Sequence, residues 1–231
     1  MARLKGIIFD FNGTLLWDTP FHNKAWNLFL DKYRIKLSDN EIRENMHGRT
    51  NAEILKYLFK KEFTQSEVNS LAAQKEEIYR HLILNTNFQL HDGVTKMFDF
   101  CLACAIPIAI ATSSDKVNAD FYYERYELKK WFPRRRFIYN DYTFEGKPAP
   151  DIFQKAVKQL FLDPEEIIVF EDSPAGIKSA ANFGAGKTVI INSTGDDCSQ
   201  FDLLTLDNFE DAINIIDLNI VETRYAATIY E

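Results

Sequence analysis

Between Val94 and Ile191, short apolar runs alternate with segments whose apolar residues recur at helical spacing. Pro107–Ala111, Phe137–Tyr139, Ile167–Phe170 and Lys187–Ile191 read as strands. Val94–Cys104, Asp115–Leu128, Asp151–Phe161 and Pro174–Phe183 read as the helices between them. Unbroken apolar runs belong to strands covered on both faces, and strand–helix alternation predicts an α/β fold, a parallel sheet with helices on both sides. Leu4–Phe9, holding the run Gly6-Ile7-Ile8-Phe9, supplies a first strand, and Leu206–Ile216 reads as a last helix. Glu222–Glu231 carries no readable pattern.

One stretch breaks the alternation. From Pro20 to about Phe88 the spacing is helical throughout, in three stripes: Phe21, Trp26, Leu28 and Phe29; Ile54, Leu55, Leu58 and Phe59; Val68, Leu71, Ile78 and Leu82. This predicts an all-helical unit of residues 18–88 inserted into a core of residues 1–17 and 89–231.

Four polar clusters fall where strands end, and ligands of open α/β sheets bind at the carboxyl ends of strands. Asp10-Phe11-Asn12-Gly13-Thr14-Leu15 follows the first strand. Thr112-Ser113-Ser114-Asp115 follows the second; hydroxyls and amides at a helix start hold phosphate oxygens. Gly146-Lys147-Pro148-Ala149-Pro150 holds a lysine between residues that stiffen the loop. Glu171-Asp172-Ser173-Pro174 ends another strand, and two carboxylates from separate strands suit Mg²⁺. Singly, each has a plainer reading: a turn former, an N-cap cluster, a solvated lysine, a helix start. It is their coincidence along one sheet edge that favours chemistry.

With 231 residues, 46% of them hydrophobic, the chain is long enough for a sizeable core. A net charge of −7 argues against nucleic acid as a partner, and no apolar run reaches the ~20 residues of a membrane span. Three cysteines suit a reducing compartment, and an N-terminus running straight into a strand argues against a signal peptide. A cytoplasmic monomer is expected. Cys101 and Cys104 lack the second pair a zinc site needs, Arg134-Arg135-Arg136 reads as a solvated loop, and no dinucleotide-binding glycine motif occurs.

Together the four clusters resemble the motifs of the haloacid dehalogenase-like (HAD) superfamily, in its β-phosphoglucomutase-like branch, over roughly Leu4 to Ile191. The resemblance implies a Rossmann-like core with a helical cap, a Mg²⁺ cofactor and a small phosphorylated metabolite, such as a sugar phosphate, as substrate. It implies that Asp10 attacks phosphorus and becomes an aspartyl-phosphate. Mg²⁺ would be held by Asp10, the main-chain carbonyl of Asn12 and Asp172, with Glu171 as an outer or occasional ligand. Thr112 and Ser113, with Ser114 beside them, would hold phosphate oxygens, and Lys147 would neutralise them. In the cap, His22, the loop Gly48-Arg49-Thr50 and Lys75 would contact substrate, whereas Trp26 and Tyr79 read as packing.

The chain departs from the pattern at three places. The acidic residue expected after Leu15-Leu16 is displaced, with Trp17 in its place and Asp18 following. Asn51 stands where the sugar-phosphate mutase has an arginine, which counts against a two-phosphate substrate. Asn12 replaces the aspartate that acts as general acid/base; an amide has no titratable proton near neutral pH, although its backbone carbonyl is unchanged. His22 or His47 is the candidate proton donor in its stead. The expected activity is a phosphatase, the alternatives being a phosphoglucomutase-like phosphotransferase or an attenuated protein that binds a phosphometabolite.

Overall fold

The computed structural model describes residues 3–195, 198–216 and 220. Ile7, Ile8 and Phe9 in β1 (Gly6–Phe9) are fully buried because β1 lies between two other strands and both of its faces are covered. Ile7 and Phe9 point into one core and Ile8 into the other, the two-residue alternation of a strand. The remaining strands are β2 (Ile108–Asp115), β3 (Phe137–Asn140), β4 (Ile167–Glu171), β5 (Lys187–Ile191) and β6 (Leu204–Leu206). They pair in parallel in the order β3-β2-β1-β4-β5-β6. From central β1 the chain goes first to one side and then to the other, which opens a crevice at the carboxyl edge.

Between β1 and β2 come α1 (Thr19–Asp31), α2 (Asp39–Asn45), α3 (Asn51–Phe59), α4 (Gln65–Leu84) and α5 (Val94–Ala103). The first four share a cluster of their own, built on Trp26, Phe29, Leu30, Ile42, Leu55 and Val68. Truncating such a buried Leu to Ala costs about 2–5 kcal/mol. The rest are α6 (Lys116–Arg125), α7 (Asp151–Leu160), α8 (Pro174–Phe183) and α9 (Phe209–Ile216). The faces of α7 and α8 that bury Phe153, Ala156, Ala180 and Phe183 close the core under Ile8, and Phe209, Ala212 and Ile216 of α9 join the other.

Sequence and structure differ at element ends. α2 was not expected, although Ser38 and Glu41 form the reciprocal capping box that marks a helix start. β2 runs on through the hydroxyl cluster to Asp115, with an irregular register between Ala111 and Asp115. The helix expected to reach Leu128 ends at Arg125, and the left-handed Glu127 (φ 48°) precedes a separate 3-10 turn. Leu204–Leu206 forms a strand on β5 where a helix was expected to begin, because parallel pairing with β5 satisfies its backbone. The unassigned tail Glu222–Glu231 lies outside the described residues.

Candidate active site

Register places the chemistry. Phe9 of β1 pairs with Ile110 of β2 and Phe170 of β4, so the next residues, Asp10, Ala111 and Glu171, emerge side by side at one edge. Asp10 is anchored by its own N–H, which donates to the Phe170 carbonyl at 2.9 Å. Lys147 enters from the loop before α7 and is fully buried. Its ammonium donates to Asp10 Oδ1 and Glu171 Oε1, both at 2.5 Å, and to the Ala111 carbonyl at 3.4 Å. The other Glu171 oxygen accepts from the amides of Asp172 and Ser173 and from the Ser173 hydroxyl. A Cβ at Gly176 would fall 1.9 Å from the Glu171 carboxyl carbon, so glycine there lets α8 start against this carboxylate.

Asp10, Glu171 and Asp172 offer carboxylate oxygens within 4.8 Å of one another. One ammonium faces three carboxylates, an excess of two negative charges. Burial, the largest influence, pushes the Asp10 carboxyl up to about 7; Glu171 adds to the rise and Lys147 opposes it. Burial also lifts Asp172 well above the usual range, helped by Glu171 and Asp10. For Lys147 burial works downward, but the two carboxylates outweigh it and raise its pKa. Asp10 and its partner Lys147 shift the same way because burial outweighs the ammonium at Asp10, whereas two carboxylates outweigh burial at Lys147. An oxygen-only donor set lacking two positive charges fits a divalent hard cation such as Mg²⁺. Asp172 Oδ1 accepts from the Thr14 hydroxyl at 3.0 Å, and Gly13 (φ +82°) passes so close that a Cβ would lie 2.0 Å from Asp172 Oδ2.

Asn12 is a hub. Its Oδ1 accepts from the hydroxyls of Thr112 (3.2 Å) and Ser114 (2.8 Å). Its Nδ2 donates to Asp18 Oδ2 (2.7 Å) and the Tyr122 hydroxyl (3.0 Å) and lies 3.4 Å from His22 Nε2. These partners orient the amide, oxygen to hydroxyls and nitrogen to carboxylate. Asp18 is fully buried and accepts as well from the Gly13 N–H and the Tyr79 hydroxyl. Trp17, in the place expected for an acid, stacks on His91 and donates from its indole nitrogen to the Thr14 carbonyl.

The inserted helices cover this edge. Ser113 Oγ donates to the Gly48 carbonyl at 2.9 Å, and Gly48 (φ +74°) packs so closely on Ser173 that only glycine fits. Beneath lies a cavity of about 90 Å³ that joins Asp10, Asn12, Thr112, Ser113, Ser114 and Asp172 to His22, Gly48, Arg49 and Lys75. A groove of about 760 Å³ beside Trp17 and His91 is larger but contains none of the clustered carboxylates, so chemistry, not size, selects the smaller cavity.

Thr50 is a correction: it does not line that cavity. Its hydroxyl and amide engage Glu53 in the capping box of α3. Lys75 is buried rather than extended, donating to His22 Nδ1 (2.7 Å) and Glu76 Oε1 (2.9 Å). Tyr79, read as packing, also bonds Asp18. Sequence reasoning missed Glu76, Asn118 and Tyr122. The available signals were a glutamate adjoining a cavity lysine and aromatic or amide positions on a helix directly after the hydroxyl cluster.

A doubly wound parallel sheet with carboxylates, hydroxyls and a buried lysine at its carboxyl edge defines the class, a Rossmann-like α/β fold with a helical insertion after its first strand. A family model for haloacid dehalogenase-like hydrolases matches residues 4–184, and the chain belongs to that family. It is 27% identical over 184 residues to the fructose-1-phosphate phosphatase YqaB of Escherichia coli, covering 79% of this chain and 94% of that one. It is 28% identical over 193 residues to the β-phosphoglucomutase of Bacillus subtilis, covering 79% and 83%. The crystal structure of a HAD hydrolase, family IA, variant 3, from Entamoeba histolytica superposes with a TM-score of 0.80 at 36% identity, over 90% of this chain and 95% of that one.

Proposed function

We propose that the chain is a Mg²⁺-dependent phosphatase of a small phosphorylated metabolite, a sugar monophosphate, acting through an aspartyl-phosphate on Asp10. The observation that carries this reading is that Asp10, Thr112 and Asp172 line one cavity from three separate chain segments, with Lys147 of a fourth bonded to Asp10 behind it. The relatives named as sugar-phosphate phosphatases support the substrate class. Residues 18–88 act as the cap over a core of 1–17 and 89–231.

Asp10, Asp172 and the Asn12 carbonyl would hold Mg²⁺, which supplies neutralisation of phosphate charge. Asp10 Oδ attacks phosphorus in line, the phosphorus–oxygen bond to the sugar breaks, and the sugar oxygen takes a proton from His22 or His47, which line the same cavity. Water then attacks the phosphorus, gives its proton to that imidazole, and releases phosphate and the Asp10 carboxylate. Thr112 and Ser113 position the phosphate oxygens, and Lys147 keeps the nucleophile oriented while offsetting charge, the two needs of phosphoryl transfer. Asn12 donates an N–H but transfers no proton. This favours a second reading, in which the first step outruns the second and the chain holds a phosphorylated state or its ligand.

The test is phosphate release from a panel of sugar phosphates with and without Mg²⁺, on the wild type and Asp10→Asn. Metal-dependent release that Asp10→Asn abolishes is expected. Equal release by both proteins refutes the reading, and trapped phosphoenzyme without release selects the second one.

A further inference from the structure

One charged side chain lining the cavity has no part in the mechanism above. Glu76 on α4 is 4% exposed and faces the same space as Arg49 and Lys75. Its Oε1 accepts from Lys75 (2.9 Å) and from Asn51 Nδ2 (2.8 Å), and its Oε2 from Asn118 Nδ2 (2.6 Å), which Arg80 holds in turn. A carboxylate offers about four acceptor positions, and these donors fill three. Among the described residues no donor fills the fourth, which a substrate hydroxyl would take.

Glu76 also sets the charge of the cap wall. It cancels Lys75, whose ammonium is further occupied by His22 and by the rings of Trp26 and Tyr79 at 5.1 and 5.5 Å. Arg49, whose buried Nε has no hydrogen-bond partner among the described residues, is left as the single uncompensated cation on that wall. A phosphate monoester dianion placed there would meet one free cation and one fixed carboxylate. An uncharged polyol or sugar body would instead meet an open acceptor at Glu76 and the amides of Asn23 and Asn51.

We infer that Glu76 is a specificity residue that restricts the cavity to monophosphate esters of hydroxylated, otherwise uncharged leaving groups and rejects bisphosphates. This rests on the proposed function and narrows its substrate class. Like-charge juxtaposition is how a site rejects a competitor its shape would admit.

The experiment is calorimetric titration, with Mg²⁺, of inorganic phosphate, fructose 1-phosphate and fructose 1,6-bisphosphate into the Asp10→Asn protein, which leaves the esters intact, with and without Glu76→Gln. With Glu76 present, the bisphosphate is expected to bind at least tenfold more weakly than the monophosphate. With Glu76→Gln, that ratio is expected to move at least tenfold towards the bisphosphate while phosphate affinity stays within twofold. Equal or tighter bisphosphate binding with Glu76 present overturns the inference and needs no folded Glu76 variant. So does a ratio that Glu76→Gln leaves unchanged, which is the result for a purely structural carboxylate. Failure of all three anions to bind refutes the proposed function itself.

Discussion

Exchanging the side chains of residues 12 and 18 is the sharpest test of the site. The Asn12 amide and the Asp18 carboxylate share one hydrogen bond of 2.7 Å. Asn12→Asp alone sets two carboxylates at that separation, a repulsion of about 6 kcal/mol at an effective dielectric constant of about 20. The pair must then keep a proton between them. The double variant Asn12→Asp/Asp18→Asn preserves the net charge and reverses the bond. Its new carboxylate still accepts from Thr112 and Ser114, and the Tyr122 hydroxyl turns from acceptor to donor. General acid–base catalysis is typically worth ~10²–10⁴ in rate, or ~3–5 kcal/mol of barrier. Phosphate release by the double variant is therefore expected to exceed wild type by about 10²–10⁴, with the single variant between them and less stable to heat. Steady-state phosphate release with Mg²⁺, together with acid-quench measurement of phosphoenzyme, reads both. Folded variants that turn over no faster than wild type would sink the claim that the amide at 12 limits the rate.

Three further outcomes are expected. Lys147→Met leaves two buried carboxylates without their shared ammonium, so it should cost about 3–5 kcal/mol in denaturant unfolding and abolish turnover; stability within 1 kcal/mol of wild type, on the order of a solvated lysine's worth, contradicts the burial argument. Gly13→Ala forces a left-handed residue and drives its Cβ into Asp172, so Mg²⁺ should raise the melting temperature of wild type but not of the variant. Glu76 has its pKa lowered to about 2: burial works upward but is outweighed by the charge of Lys75 and by the Asn51 bond. Because the folded value lies below the unfolded one, its contribution of about 3 kcal/mol is complete above pH ~4.5 and fades as pH falls towards ~2. Urea unfolding of wild type and Glu76→Gln should therefore converge across that window, and a constant difference would contradict the assignment.

The sheet was legible because its strands are covered on both faces, so Ile7-Ile8-Phe9 and Ile167-Ile168-Val169-Phe170 carry no polar interruption. α2 and β6 were not, because a short helix and an edge strand take their stability from neighbours and leave little pattern of their own. At the site, Asp10, Thr112, Lys147 and Asp172 announced themselves by following strands. Glu76, Asn118 and Tyr122 could not, since what ties them into the site is hydrogen bonding across long sequence separations, as from Asn118 on α6 to Glu76 on α4. Thr50 misled because one hydroxyl serves equally as a ligand contact and a helix cap, and only Glu53 three residues on distinguishes the two.

The bonds that orient Asn12 also guard it chemically. An asparagine followed by glycine is the pair most prone to lose ammonia, when the following amide nitrogen closes on the side-chain carbon, and asparagine is among the thermolabile residues. Here the Gly13 nitrogen donates to the Leu16 carbonyl at 2.7 Å and to Asp18, while both ends of the Asn12 amide are held by partners. Ring closure would have to break all of these together. Ageing of the folded chain is thereby kept from generating an aspartate at the one position where that change would alter the chemistry.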